Sequence, residues 1–198
     1  MDSGVRGYNR VAQLLIGGKY AEVKGLSGQV GRRFTKKFGT VSMEVDLYSP
    51  RDFAGLGDYA HLGNLKKAIA EHEIIAYDGH SMLGASDFWS QPTYPQSYQI
   101  FLYGGCLGYE YYVKPILDGK GGTWANLDLM SSVIEVSADA ERFAVPVIAK
   151  ITSALTRGNR VSWQQILSAV RAKVGDSTFG VSGVRDNKYC PAGVTCGT

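Results

Sequence analysis

The sequence predicts an α/β fold, a three-layer sandwich in which a mostly parallel central sheet of about six strands lies between layers of helices. Three observations carry this reading. Short continuous apolar runs, EIIAY (73–77) and YQIFLYG (98–104), have the character of strands buried on both faces. Segments with apolar residues at helical spacing alternate with them. Glycine and proline punctuate the boundaries between the two kinds of segment.

Taken in order, RVAQLLI (10–16) is an apolar run stopped by Gly17-Gly18 and is assigned as the first central strand. Residues 25–38 place Leu26, Val30, Phe34 and Phe38 four apart, which predicts a helix. Arg32, Arg33, Lys36 and Lys37 would then form its solvated face. TVSMEVDLYSP (40–50) alternates Val41, Met43, Val45 and Leu47 with polar residues, the period of a half-buried strand, and Pro50 stops it.

RDFAGLGDYAH (51–61) is a loop, LGNLKKAIAEH (62–72) a helix with Leu62, Leu65 and Ile69 on one face, and EIIAY a strand. Residues 81–96 lack periodicity and carry two prolines, predicting an ordered surface loop before the strand YQIFLYG. Residues 107–124 give a short helix and a glycine-rich turn, and DLMSSVIEVS a further strand.

Phe143, Val147, Ile151 and Leu155 mark a helix that tolerates Pro146 near its start and ends by Gly158. Ser162, three residues before Gln165, is the N-cap of another helix. STFGVSGV (177–184) closes the fold as a strand, and an irregular tail follows from about residue 186. With 198 residues, 44% hydrophobic and 20% charged, the chain suits a single domain with one sizeable core.

A formal charge of +3, spread along the chain, argues against nucleic acid as a partner. No apolar run reaches the roughly 20 residues of a membrane helix, so no membrane insertion is expected. The start MDSGVRGYNR lacks the apolar middle of a secretory signal. Cys190 and Cys196, in CPAGVTC, have a plausible disulfide spacing that would favour an extracytoplasmic or secreted location; two free thiols or a metal pair are the alternatives. Without further ligands the metal pair is the poorest of the three.

Two potentially reactive side chains follow apolar strands: His80 in YDGHS and Cys106 in YGGCLG. Functional groups collect at the carboxyl ends of strands in such sheets. Neighbouring strands are about 4.8 Å apart, so side chains leaving two paired strands can meet. A thiol paired with an imidazole has the elements of nucleophilic acyl transfer. Gly79, Gly104 and Gly105 leave room for a substrate carbonyl, and backbone N–H groups there can stabilise an oxyanion. The competing reading makes Cys106 a small buried hydrophobe and His80 a structural residue. A metal site from Asp78 and His80 lacks a third ligand.

The pairing of an apolar strand ending in GH with a second ending in GC resembles the caspase-like cysteine peptidases, the group of gingipains, legumains, clostripain and metacaspases. RVAQLLIGGKY (10–20) is similar to the first strand and turn of that fold, and the resemblance extends over roughly residues 8 to 185. It implies His80 as catalytic histidine and Cys106 as nucleophile. Gly79, Ser81 and Gly105 are then the substrate-binding positions, with a peptide or protein as substrate and no cofactor.

Ser81 stands where the family commonly has glycine, and a loop replaces the helix many relatives place between the two strands. Asp78 and Glu110 are the candidates to orient His80. Asp87, Glu110 and Asp118 would suit a basic substrate side chain, or are simply solvated. The aromatic residues Phe88, Trp89, Tyr94, Tyr109, Tyr111 and Tyr112 line a cleft or pack a core. The expected function is cleavage of peptide bonds through a thioester; the alternative is a non-catalytic binding or scaffold domain of the same fold, with loop 81–96 as its contact surface.

Overall fold

In the computed structural model, which describes residues 3–25, 31–50, 52, 62–80, 88–136, 139–175 and 178–190, the chain is α/β with two sheets. The first is antiparallel, in the order β1 (Ala21–Val23), β2 (Arg32–Phe38), β3 (Val41–Leu47). The second is mixed, in the order β4 (Ile74–Tyr77), β5 (Gln99–Tyr103), β6 (Leu127–Ser132), β7 (Phe179–Ser182). Within it β4, β5 and β6 are parallel and β7 is antiparallel to β6. Among the described residues the parallel part therefore has three strands, fewer than the sequence suggests.

Helices cover both faces of the mixed sheet. Strand periodicity sends Phe101 and Leu129 to one face, where α2 (Leu62–Glu71), α4 (Val113–Gly119) and the aromatic segment after residue 87 pack. Leu102 and Met130 point to the other, against α5 (Ala144–Thr156) and α6 (Trp163–Val174). At the start of α6 the Ser162 hydroxyl accepts from the Gln165 N–H while Gln165 accepts from the Ser162 N–H, the reciprocal cap expected from their spacing. β4 lies at the sheet edge, and its Ile74 and Ala76 are exposed while Ile75 is buried. It is not the interior strand expected from EIIAY.

Two assignments near the amino terminus change. RVAQLLI is not a strand but belongs to α1 (Ser3–Gly17). Val11, Ala12 and Leu15 recur at helical spacing and are buried against the antiparallel sheet and α5. Seven residues read alone hid that period.

Residues 32–38 are not helical but form β2. A spacing of four is also twice two, so Phe34 and Phe38 share one face of a strand as readily as one face of a helix. Gly31, at φ 73°, has no room for a side chain beside the Leu47 carbonyl, which favours the extended hairpin. The basic cluster is correspondingly not a free helical face. Arg32 pairs with Glu22, Arg33 with Asp46 and Glu44, and Lys36 donates to the Gly18 carbonyl.

The segment after residue 87 differs from a surface loop as well. Phe88, Trp89 and Tyr94 are core residues, and Tyr94 Oη donates to the Trp89 carbonyl. The Lys120 ammonium anchors the same segment, donating to the carbonyls of Pro95 and Ser97 and to Gln99 Oε1. Its burial lowers the lysine pKa to about 8. Most of the predicted loop 51–61 and all of 81–87 lie outside the described residues. No described helix is long and apolar enough to cross a membrane.

Candidate active site

β4 and β5 pair in parallel with Tyr77 opposite Tyr103, and the ladder continues one step as the Gly104 N–H donates to the Tyr77 carbonyl at 2.7 Å. His80 and Cys106 each stand three residues beyond these partners, on turns leaving adjacent strands at the same end of the sheet. The turns touch through backbone. A methyl group at Gly105 would sit 2.6 Å from the Tyr103 ring and hydroxyl and 2.9 Å from the Gly79 carbonyl oxygen. Gly79 is closed in similarly, its absent Cβ lying 3.0 Å from Tyr77 Oη. The glycines thus allow the two turns to approach each other.

The first turn is fastened from both sides. Tyr77 Oη donates to the His80 carbonyl at 2.8 Å, leaving the imidazole itself exposed. Asp78 points toward α5, where Oδ2 accepts from the Ala144 N–H at 3.3 Å. It therefore braces the turn against that helix. Its Oδ1 is buried with no hydrogen-bond partner among the described residues. Burial raises the Asp78 pKa to about 6, against the lowering effect of the Ala144 bond, with Asp139 adding to the rise.

A carboxyl with a raised native pKa binds its proton more tightly folded than unfolded. Its effect on stability is therefore neutral below the unfolded value, near 3.8, and becomes increasingly unfavourable as pH rises through 6. The Asp78→Asn variant, which keeps an acceptor for Ala144, is expected to lose this dependence and gain about 2 kcal/mol at neutral pH. Urea unfolding from pH 4 to 7.5 measures it; an unchanged slope would refute the assignment.

The second turn rests on aromatic side chains. Tyr103 stacks between Tyr77 and Tyr112, and Trp89 meets all three edge-on. Gly104 is covered by the Phe143 ring and Gly108 by Tyr103. Leu107 adopts φ 48°, unusual for a residue with a branched side chain, and leads into α3 (Gly108–Tyr111).

The chain following β6 runs back along this turn: the Leu107 N–H donates to the Ile134 carbonyl at 3.1 Å, and Cys106 Sγ–H donates to the Val136 carbonyl at 2.8 Å. Cys106 is half-buried and outside any disulfide. Ser132, at the end of β6, bonds to both Gly105 and Gly108.

The other sequence candidates separate. Glu110 is exposed, as is Asp118, whose carboxylate pairs with Lys114 at 2.5 Å. Ser81 and Asp87 lie outside the described residues. Phe88, Trp89, Tyr94 and Tyr112 pack the core, whereas Tyr109 and Tyr111 are exposed beside the Cys106 turn.

Elsewhere, Glu44, Asp46 and His72 bring ligand atoms within 4.8 Å of one another. Arg33 already supplies positive charge there, bonding Asp46 through two nitrogens and Glu44 at 3.1 Å, and these bonds hold the Asp46 carboxyl below its usual range. Cys190 is disulfide-bonded, and the expected partner, Cys196, lies outside the described residues. No protein-family model matches the chain, and comparisons with curated proteins and with solved structures give no match.

Proposed function

We propose that the protein is a caspase-like cysteine peptidase in which Cys106 is the nucleophile and His80 the general acid and base. The observation that carries the reading is the β4–β5 register, with Gly79 packed on Gly105, which sets the turns bearing His80 and Cys106 side by side. Helices on both faces of the mixed sheet support the caspase-like, three-layer reading of the fold. The unfavourably buried Asp78 next to this turn is a further feature typical of functional sites. The Cys190 disulfide supports an oxidising location.

In the first half-reaction the Cys106 sulfur bonds to the peptide carbonyl carbon and its proton passes to His80. Collapse of the tetrahedral intermediate breaks the C–N bond, and the amine leaves with that proton. A water then attacks the thioester as His80 takes one of its protons. Release of the acid returns a proton to the sulfur.

A second reading, a non-catalytic binding domain, is favoured by the bond from the Cys106 thiol to the Val136 carbonyl, which satisfies the sulfur within the fold. Incubation with a mixed peptide library separates the two. The peptidase reading predicts new peptide termini, read by mass spectrometry, that disappear with Cys106→Ala. Termini that persist in that variant, or none from the native chain, would overturn it.

A further inference from the structure

We infer that Ser132 is a positioning residue for the nucleophile, setting the orientation of the peptide plane from which Cys106 projects. The inference rests on Cys106 being the nucleophile. Ser132 has 0% exposure, and its hydroxyl holds the turn at two points. It donates to the Gly105 carbonyl and accepts from the Gly108 N–H at 2.9 Å, bridging the residues on either side of Cys106-Leu107.

The Gly105–Cys106 peptide is trans, so a carbonyl fixed toward Ser132 points the Cys106 N–H in the opposite direction within the same plane. The hydroxyl thus sets the plane of the Cys106 amide on one side, while the Leu107 N–H bond to the Ile134 carbonyl holds the next peptide, and the two planes together direct the Cα–Cβ bond of Cys106. Packing does not replace it: Gly105 and Gly108 touch Tyr103 without side chains that could hold their peptide planes. In Ser132→Ala the Gly105 carbonyl and Gly108 N–H lose this partner, and the turn can rotate toward other acceptors and donors.

Positioning is distinguished from thiol reactivity with two electrophiles. Iodoacetamide reports thiolate availability, whereas a peptidyl acyloxymethyl ketone must also be held in the attack geometry. In Ser132→Ala, labelling of Cys106 by the ketone is expected to slow about 10- to 100-fold. Labelling by iodoacetamide is expected to change less than about threefold. Ser132→Thr, which keeps the hydroxyl, should recover most of the ketone rate.

Equal slowing with both reagents, an unchanged ketone rate, or a Ser132→Ala chain that does not fold would each overturn the inference and leave Ser132 a structural role. A native chain labelled by iodoacetamide but inert to a panel of such ketones would instead remove the peptidase reading, and this inference with it.

Discussion

Replacing His80 with Ala is expected to slow acylation of Cys106 by about 10²- to 10⁴-fold, the usual contribution of a positioned general base and acid. Folding should be nearly unaffected. The imidazole is exposed, and the bond that closes its turn runs from Tyr77 to the His80 backbone carbonyl, which alanine retains. Unequal rates with equal unfolding midpoints would identify a chemical role. A variant that labels as fast as the native chain would assign His80 to the surface.

Asp128→Ala is expected to have the largest effect on stability. This carboxylate, 2% exposed at the start of β6, accepts from Tyr98 Oη at 2.8 Å, Trp163 Nε1 at 2.8 Å and Asn187 Nδ2 at 2.7 Å. It therefore ties the approach to β5, the first residue of α6 and the segment after β7 to a single strand. Tyr98 also stacks on Tyr189 with ring centroids 4.1 Å apart, next to the disulfide-bonded Cys190.

Removing the acceptor takes the shared partner from three half-buried donors, of which Asn187 keeps a bond to the Gly183 carbonyl, a loss of about 2–4 kcal/mol. That is a large share of the ~5–15 kcal/mol that stabilises a typical domain. Urea unfolding followed by far-ultraviolet circular dichroism measures it, and a loss below about 1 kcal/mol would contradict the network. Because Asp128 lies at the amino end of β6, Cys106 in the folded fraction should retain its reactivity.

Much of the mixed sheet and its helices could be read from the sequence because each element there carries one unambiguous period or cap. The run YQIFLYG is too short for a helix and too apolar for a surface, and Ser162 with Gln165 marks a helix start. The amino-terminal region was less legible. Phe34 and Phe38 satisfy both strand and helix spacing, and only the pairing of β2 along its length with β3 resolves them. RVAQLLI shows its helical face only when Tyr8 and the preceding turn are read with it.

At the candidate site, sequence placed His80, Cys106 and the surrounding glycines on corresponding turns. It could not show that Asp78 turns to α5, because a side chain two residues from His80 can leave a turn in either direction. Nor could it reveal that β6, some 25 residues later, supplies the hydroxyl beneath the Cys106 turn. Such contacts depend on which strands become neighbours, information distributed over the whole sheet.

The paired turns are claimed to form one reactive site, and covalent labelling tests this most directly. The native chain and His80→Ala are treated with a panel of peptidyl acyloxymethyl ketones, and the rate and site of modification are read by intact mass and peptide mapping. A single adduct on Cys106 is expected, formed rapidly in the native chain and about 10²-fold or more slowly in the variant. Modification spread over several residues, or equal rates at Cys106 with and without His80, would contradict it.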